Sequence, residues 1–266
     1  MTIVEIFLVT SFVGLLVLVA GCGWMKLSLY KKEHYALKTT IEMAAEDLLK
    51  MAQKLYTEGK WTESVALIEK NMIGMTDTED FVEANRILGW SYYYLGIKGP
   101  VTGKIPNLLK SKSAFEKALR VVPVFEKKKE MSIYNGLPLT LWVLGKKKKA
   151  LEVSDTAVKI FHDEPSVWNT RCILLRWKGA YKESVEKCER WYSAAMVKGD
   201  LLTAGHMQQN CGDAHKALKD IDGARESYRI ALERYQKYEE TSGKSATAHI
   251  ESVKKKLVDL VVTIDE

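Results

Sequence analysis

The sequence predicts an all-α fold, an α-solenoid built from successive helical hairpins. After residue 40, apolar residues recur at steps of three and four, and no stretch shows the apolar–polar alternation of a strand. A helix–turn–helix unit also recurs, and a repeated unit of this kind is typical of solenoids. Because the chain has only 17 Gly and 5 Pro, with no long linker, we expect one folded unit over 41–266.

The N-terminal segment contains no charged residue from Ile6 to Met25. A helix of this length rises about 30 Å, the thickness of the hydrocarbon core of a bilayer. Lys26, Lys31 and Lys32 follow it, and positively charged flanks remain on the cytoplasmic side. We therefore expect a transmembrane anchor at 1–25, a juxtamembrane segment at 26–40, and a single-pass protein of a bacterial inner membrane with a cytoplasmic body.

A second interpretation of the N-terminus rests on LVAGC, residues 18–22. These residues resemble a bacterial lipobox, in which Cys22 would be acylated and become the mature N-terminus. The body would then belong to a periplasmic lipoprotein. An ordinary export signal is disfavoured, because MTIVE carries Glu5 and neither Lys nor Arg before the apolar run.

Five helix pairs can be aligned on one small residue in each helix. In the first helix of each pair, helix A, the small positions are Ala52, Gly89, Pro138, Cys172 and Gly212. In the second, helix B, they are Ser64, Ser111, Ala150, Ser184 and Ala224. We expect Pro138 to kink its helix or to remove one hydrogen bond. In the second pair, the additional residues 97–110 are expected to form a loop between the two helices.

Two segments carry a recognisable family motif. The segment at 86–96 contains Leu88, Gly89 and Tyr92, and the segment at 210–235 contains Ala224, Tyr228 and Ala231. These patterns resemble the tetratricopeptide repeat (TPR). In that family a small residue lets helix B approach helix A, and an aromatic residue of helix B fills the space between units. The resemblance implies about five units, followed by an amphipathic capping helix at 244–264.

The resemblance also implies a concave groove, lined by the A helices, that binds a peptide or a helix of a partner protein. The groove is expected to be aromatic in its middle and polar toward its C-terminal end. Its predicted partner-binding residues are Arg86, Trp90, Tyr93, Tyr94, Asn135, Trp142, Asn169, Arg176, Trp177 and Asn210. Leu49, Gln53, Tyr56, Leu139, Ile173, Gln209, Asp213 and Lys216 complete the same face.

The cysteines and histidines do not form a recognisable site in the sequence. Cys211 and His215 share one face of a predicted helix, a spacing that can hold a metal, but a site needs further ligands. We therefore expect a buried thiol and a surface imidazole, and we assign no metal site. Cys172 and Cys188 occupy inward positions on paired helices, so they could form a disulfide if the body is exported.

Several functional classes are excluded by the sequence. No P-loop, GxSxG, HExxH or dinucleotide-binding motif occurs, so we expect neither an enzyme nor a cofactor. The net charge of +6 comes largely from lysine runs at 127–129, 146–149 and 254–256. These runs are widely separated and are typical of solvated helix ends, so nucleic acid is not an expected partner.

Together these features predict a membrane-anchored scaffold or adaptor that binds a protein or peptide partner in its groove. Its expected role is the assembly of a membrane-associated complex. Two alternatives remain open: an exported lipoprotein that assists assembly of a pilus or secretion machine, and an accessory subunit of a larger membrane complex.

Overall fold

The computed structural model describes residues 45–72, 79–121 and 127–262. These ranges contain eleven helices and no strand, so the all-α prediction is confirmed for them. The helices are α1 (45–57), α2 (Trp61–Asn71), α3 (Glu79–Lys98), α4 (Val101–Val121), α5 (Lys127–Val143), α6 (Lys147–Ile160), α7 (Pro165–Lys178), α8 (Tyr181–Val197), α9 (Leu201–Ala217), α10 (Ile221–Ser242) and α11 (Thr247–Val262).

The helices form a solenoid of five hairpins. From α3 onward, each odd-numbered helix packs against the even-numbered helix that follows it, and α3, α5, α7 and α9 also contact one another in succession. Successive even-numbered helices have few or no such contacts within the described ranges. The odd-numbered helices therefore line the inner face, and the even-numbered helices form the outer face. Helix α11 packs against α10 and closes the end of the array.

Phe115 of α4 shows what allows two hairpins to pack closely. A Cβ atom added at Gly89 of α3 would lie 2.4 Å from the Phe115 ring, and one added at Gly136 of α5 would lie 2.3 Å from it. The ring is fully buried between these two glycines. An aromatic residue of helix B therefore fills the space between two successive A helices, as the resemblance to the tetratricopeptide repeat implies.

Helix α10 repeats this arrangement at the end of the array. Tyr228 lies over Gly212, and Tyr235 lies over Gly205, where an added Cβ would approach within 2.5 and 2.6 Å of the respective rings. Helix α11 contacts both tyrosines, since His249 stacks on Tyr235 and Lys256 Nζ lies 5.5 Å from the ring centre of Tyr228. The capping helix thus takes the place that the A helix of a further hairpin would occupy.

Serine hydroxyls connect the two helices of three hairpins. Each serine at the small position of helix B donates to the carbonyl oxygen of the small residue on helix A. The pairs are Ser64 with Ala52 (2.9 Å), Ser111 with Gly89 (2.7 Å) and Ser184 with Cys172 (3.0 Å). The alignment predicted for these hairpins is therefore correct, including the second hairpin with its additional residues.

The additional residues of the second hairpin are helical, so the predicted loop at 97–110 is wrong. Helix α3 continues to Lys98 and α4 begins at Val101, which leaves a turn of two residues. Gly96 permits this extension to pack, because a Cβ there would lie 2.7 Å from Leu108. The extended tip exposes apolar side chains on both helices: Ile97, Val101, Ile105 and Leu109.

Pro138 lies within α5 and does not end it. Because proline has no N–H group, the carbonyl of Tyr134 lacks its usual helical donor, as predicted. The residue is buried.

The predicted membrane localisation is corrected by the structure. No helix in the described part of the chain is both long and apolar enough to cross a bilayer. The prediction of a single-pass inner-membrane protein is therefore wrong on this finding. The proposed anchor at 1–25, with Cys22, and the juxtamembrane segment at 26–40 lie outside the described residues.

A pair of histidines lies between α9 and the capping helix. His206 of α9 and His249 of α11 approach within 3.5 Å at their Nε2 atoms, and both rings contact Tyr235. Burial, together with the neighbouring His249, lowers the pKa of His206 to about 3. Burial and the positive charge of Lys98 lower the pKa of His249. Both rings are therefore neutral at neutral pH, which allows α11 to pack closely.

We expect Gly89→Ala to lower the free energy of unfolding by about 1–3 kcal/mol, because its methyl group would overlap the Phe115 ring. Gly103→Ala in α4 is the matched control, since an added Cβ there meets only the end of the Asn107 side chain, at 3.3 Å. Urea unfolding of the two variants tests this. Equal stability would show that the ring does not require a glycine.

We also expect the protein to lose stability as the pH falls from about 6.5 toward 5. An unfolded histidine has a pKa of about 6.5, so the unfolded chain takes up protons that His206, with its lowered pKa, does not, at up to about 1.4 kcal/mol per pH unit. His206→Phe should flatten this dependence, whereas His162→Gln, at an exposed position, should retain it. Urea unfolding at several pH values measures both slopes, and identical slopes would contradict the assignment.

Candidate functional site

The structure brings the predicted partner-binding residues together on the inner face. They lie on four successive A helices, α3, α5, α7 and α9. Tyr93 and Asn210 are buried, with 7% and 8% of their surface exposed. The other eight are half-buried: Arg86, Trp90, Tyr94, Asn135, Trp142, Asn169, Arg176 and Trp177. Their placement is as predicted, whereas their role in binding stays a prediction.

The polar residues at the C-terminal end of this face are paired with one another. The Asn210 amide donates to Asn169 Oδ1 across the seam between α7 and α9, at 2.8 Å. Arg176 donates to Asn210 Oδ1 at 3.2 Å, and its Nη1 atom lies 3.0 Å from a carboxylate oxygen of Asp213. These side chains therefore join two A helices, and their hydrogen-bonding groups are largely used within the chain.

Asp213 is the centre of this network. Its carboxylate accepts hydrogen bonds from Tyr228 of α10, at 2.7 Å, and from Lys256 of α11, in addition to its ion pair with Arg176 of α7. It thus connects α9 to three other helices. The sequence does not distinguish Asp213 from the other groove positions. Its three partners lie far apart along the chain, over the 81 residues from 176 to 256, so only the fold brings them together.

The polar residues nearer the N-terminus are paired in a similar way. Arg86 donates to Gln53 of α1 at 2.5 Å, and it also bonds Glu83 in its own helix. Asn135 of α5 accepts a hydrogen bond from Thr170 of α7 at 3.1 Å. Asparagine side chains predicted to bind a partner are therefore engaged in joining successive A helices.

The aromatic residues of α3 are partly in the core and partly accessible. Trp90 packs edge-on against Phe115, and its Nε1 donates to Ser132 of α5 at 3.0 Å. Tyr94 stacks on Trp61 with ring centroids 5.1 Å apart. Burial raises the pKa of Tyr94. Trp90 and Tyr94 keep part of their surface exposed, whereas Tyr93 between them in sequence is buried.

Two further tryptophans extend this surface. Trp142 of α5 and Trp177 of α7 have ring centroids 6.2 Å apart, and both are half-buried. We use the name aromatic row for Trp61, Tyr94, Trp90, Trp142 and Trp177. Trp61 was missed in the sequence, although it begins helix B of the first hairpin as Tyr181 begins that of the fourth.

Two lysines lie over rings of the aromatic row. The Nζ atom of Lys98 is 5.0 Å from the ring centre of Trp61 and 5.4 Å from that of Tyr94. The Nζ atom of Lys147 is 5.6 Å from the ring centre of Trp142. Such cation–π contacts place positive charge beside the exposed aromatic surface.

The three described cysteines form one buried cluster between the fourth and fifth hairpins. Their thiols are free, so the conditional Cys172–Cys188 disulfide is not formed. A hydrogen bond with Cys172 that favours the protonated thiol, and then burial, raise the pKa of Cys188. Burial, with the neighbouring Cys188, raises the pKa of Cys211 to about 12. Cys211 is thus the buried thiol that the sequence predicts.

His215 is better positioned to bind a metal than the sequence suggests. Its Nδ1 atom lies 2.7 Å from Oδ2 of Asp220, in the turn after α9. Glu189 of α8 also lies nearby: one potential ligand atom from each of Glu189, Cys211 and His215 is within 4.8 Å of the others. The sequence could not reveal Glu189 as a neighbour, because it belongs to the preceding hairpin.

We expect Asp213→Asn to lower the free energy of unfolding by about 1–3 kcal/mol, because Arg176 and Lys256 would lose a half-buried anionic partner. Glu226→Gln is the matched control, since Glu226 forms an exposed ion pair with Arg229 and should contribute little. Urea unfolding of the full chain compares the two. A loss no larger than that of the control would show that Asp213 does not hold the helices together.

No protein-family model matches this chain, and a search of curated proteins finds no match. Solved structures do resemble it. A thermophilic TPR protein of Thermus thermophilus superposes with a TM-score of 0.62 at 13% identity, covering 82% of this chain and 99% of that one. Nearly identical TPR-like repeats from Podosopora anserina superpose with a TM-score of 0.51 at 13% identity, covering 72% and 95%. The chain therefore has a TPR-like fold.

Proposed function

We propose that the protein is a scaffold that binds a segment of a partner protein along the inner face of its solenoid. The aromatic row is the observation that carries this proposal. Its rings are half-buried and keep part of their surface accessible, whereas the neighbouring amide and guanidinium groups are paired within the chain. Tryptophan and tyrosine supply much of the binding energy at protein interfaces. The side-chain surface on this face that remains available to a partner is therefore mainly apolar.

The charges beside the row define the kind of segment that it would bind. Lys98 lies over Trp61 and Tyr94, and Lys147 lies over Trp142, so positive charge lies beside the row at two places. A segment with aliphatic or aromatic anchors and adjacent Asp or Glu residues would complement both features. We therefore propose an acidic peptide segment with apolar anchors as the occupant.

The place of this scaffold in the cell stays a prediction. Binding of a partner segment is compatible with a role in assembling a larger complex, or with permanent membership of one. That the chain is not an enzyme likewise stays a prediction from its motifs.

A peptide-display selection with the full chain tests the proposal. Selected peptides should be enriched in apolar residues next to Asp or Glu. Trp142→Ala and Trp177→Ala should each weaken their binding at least about tenfold, the change expected when an aromatic contact worth more than about 1.4 kcal/mol is lost. Fluorescence anisotropy of labelled peptides measures these affinities.

Trp168→Ala provides the matched control. Trp168 lies in α7, as Trp177 does, but it stacks on Trp191 of α8 with ring centroids 4.9 Å apart. Its removal should leave peptide affinity unchanged. Lys147→Glu should weaken binding of the acidic peptides more than that of uncharged ones. Peptides that bind all four variants equally well would place the binding surface elsewhere on the chain.

A further inference from the structure

Three potential metal ligands meet at the seam between the fourth and fifth hairpins. Cys211 and His215 are one turn apart on α9, and Glu189 reaches them from α8. Thiolate, imidazole and carboxylate are the three ligand types that zinc binds in proteins. Their potential ligand atoms lie within 4.8 Å of one another. We propose that these three residues bind one zinc ion.

The separation of the ligands is compatible with a zinc ion after small side-chain movements. Zinc bonds of about 2.0–2.3 Å in a tetrahedral site bring ligand atoms to within about 3.3–3.8 Å of one another. Cys211 is buried in a packed core, so it would stay in place. Glu189 is exposed on the surface of α8, and its long side chain can move toward the other two.

Asp220 gives the cluster the support that a metal-binding histidine normally has. One of its oxygens lies 2.7 Å from His215 Nδ1, and the other accepts from the backbone N–H of Gly223 at 3.0 Å. A carboxylate in this position orients the imidazole and leaves Nε2 to bind the metal. Gly223 leaves room for the contact between Asp220 and His215, because an added Cβ would lie only 2.7 Å from His215 Nδ1.

Charge and access also fit a zinc ion. One thiolate and one carboxylate would balance its two positive charges. Glu189 is exposed and His215 is half-buried, so the site faces solvent on one side and water would complete the tetrahedron. The ion would join the outer helix of the fourth hairpin to the inner helix of the fifth.

Titration of the full chain with cobalt(II), and then with zinc, tests this proposal. Cys22→Ser is included in every sample, so that this thiol cannot contribute. We expect one cobalt ion per chain, a thiolate-to-cobalt charge-transfer band, and displacement of cobalt by zinc. Zinc should also raise the thermal unfolding temperature, because it binds only the folded arrangement.

Variants at each ligand then assign the site. Cys211→Ser should abolish the charge-transfer band. His215→Ala and Glu189→Gln should weaken cobalt affinity at least about tenfold, and Asp220→Asn should do so by about 10–100-fold, as loss of a supporting carboxylate does. The last three lie at or near the surface, so they report on binding even if Cys211→Ser fails to fold.

Cys172→Ser and His162→Ala are the controls, since they remove another buried thiol and an exposed imidazole. Both should retain the band and the affinity, and circular dichroism verifies that each variant is folded. Absence of saturable binding in the parent chain would overturn the proposal. So would a charge-transfer band that survives Cys211→Ser, because another thiol would then be the ligand.

Discussion

The packing of an aromatic ring on glycine is the contact on which the solenoid depends. Phe115 lies between Gly89 and Gly136, so one ring sets the distance between two A helices and the B helix behind them. A larger residue at either glycine would push the helices apart. Since each hairpin positions the next, a change in this spacing would be passed along the whole inner face.

Other hairpins meet the same requirement with different pairs of residues. In the fourth hairpin, Cys172 takes the position of the glycine and Cys188 the position of the ring, and their thiols are in contact. In the first, Ala52 and Ile68 occupy the two positions within one core cluster. A smaller residue on helix B accompanies a larger one on helix A, as close packing of a protein interior demands.

The polar and the aromatic side chains of the inner face have different roles. Its polar side chains join the A helices, and its aromatic side chains keep exposed surface beside Lys98 and Lys147. The network around Asp213 keeps the fifth hairpin and the capping helix in register with the fourth. The proposed zinc site lies at this same junction, where the fourth hairpin has a cysteine instead of an aromatic ring. A metal ion there would stabilise the contact between the fourth and fifth hairpins, where the core residues are smaller.

The sequence by itself determined the helical class, the hairpin period and the small positions, because these follow from local periodicity and from the size of single side chains. It also placed the predicted groove residues on the correct helices. It could not show that 97–110 is helical, since Gly and Pro indicate a loop until Leu108 packs on Gly96. Only the tertiary structure decided that the asparagines and arginines pair with one another, that Trp61 joins the aromatic row, and that Glu189 approaches Cys211 and His215. These contacts link different hairpins, and their distances depend on how closely the glycines let the helices approach.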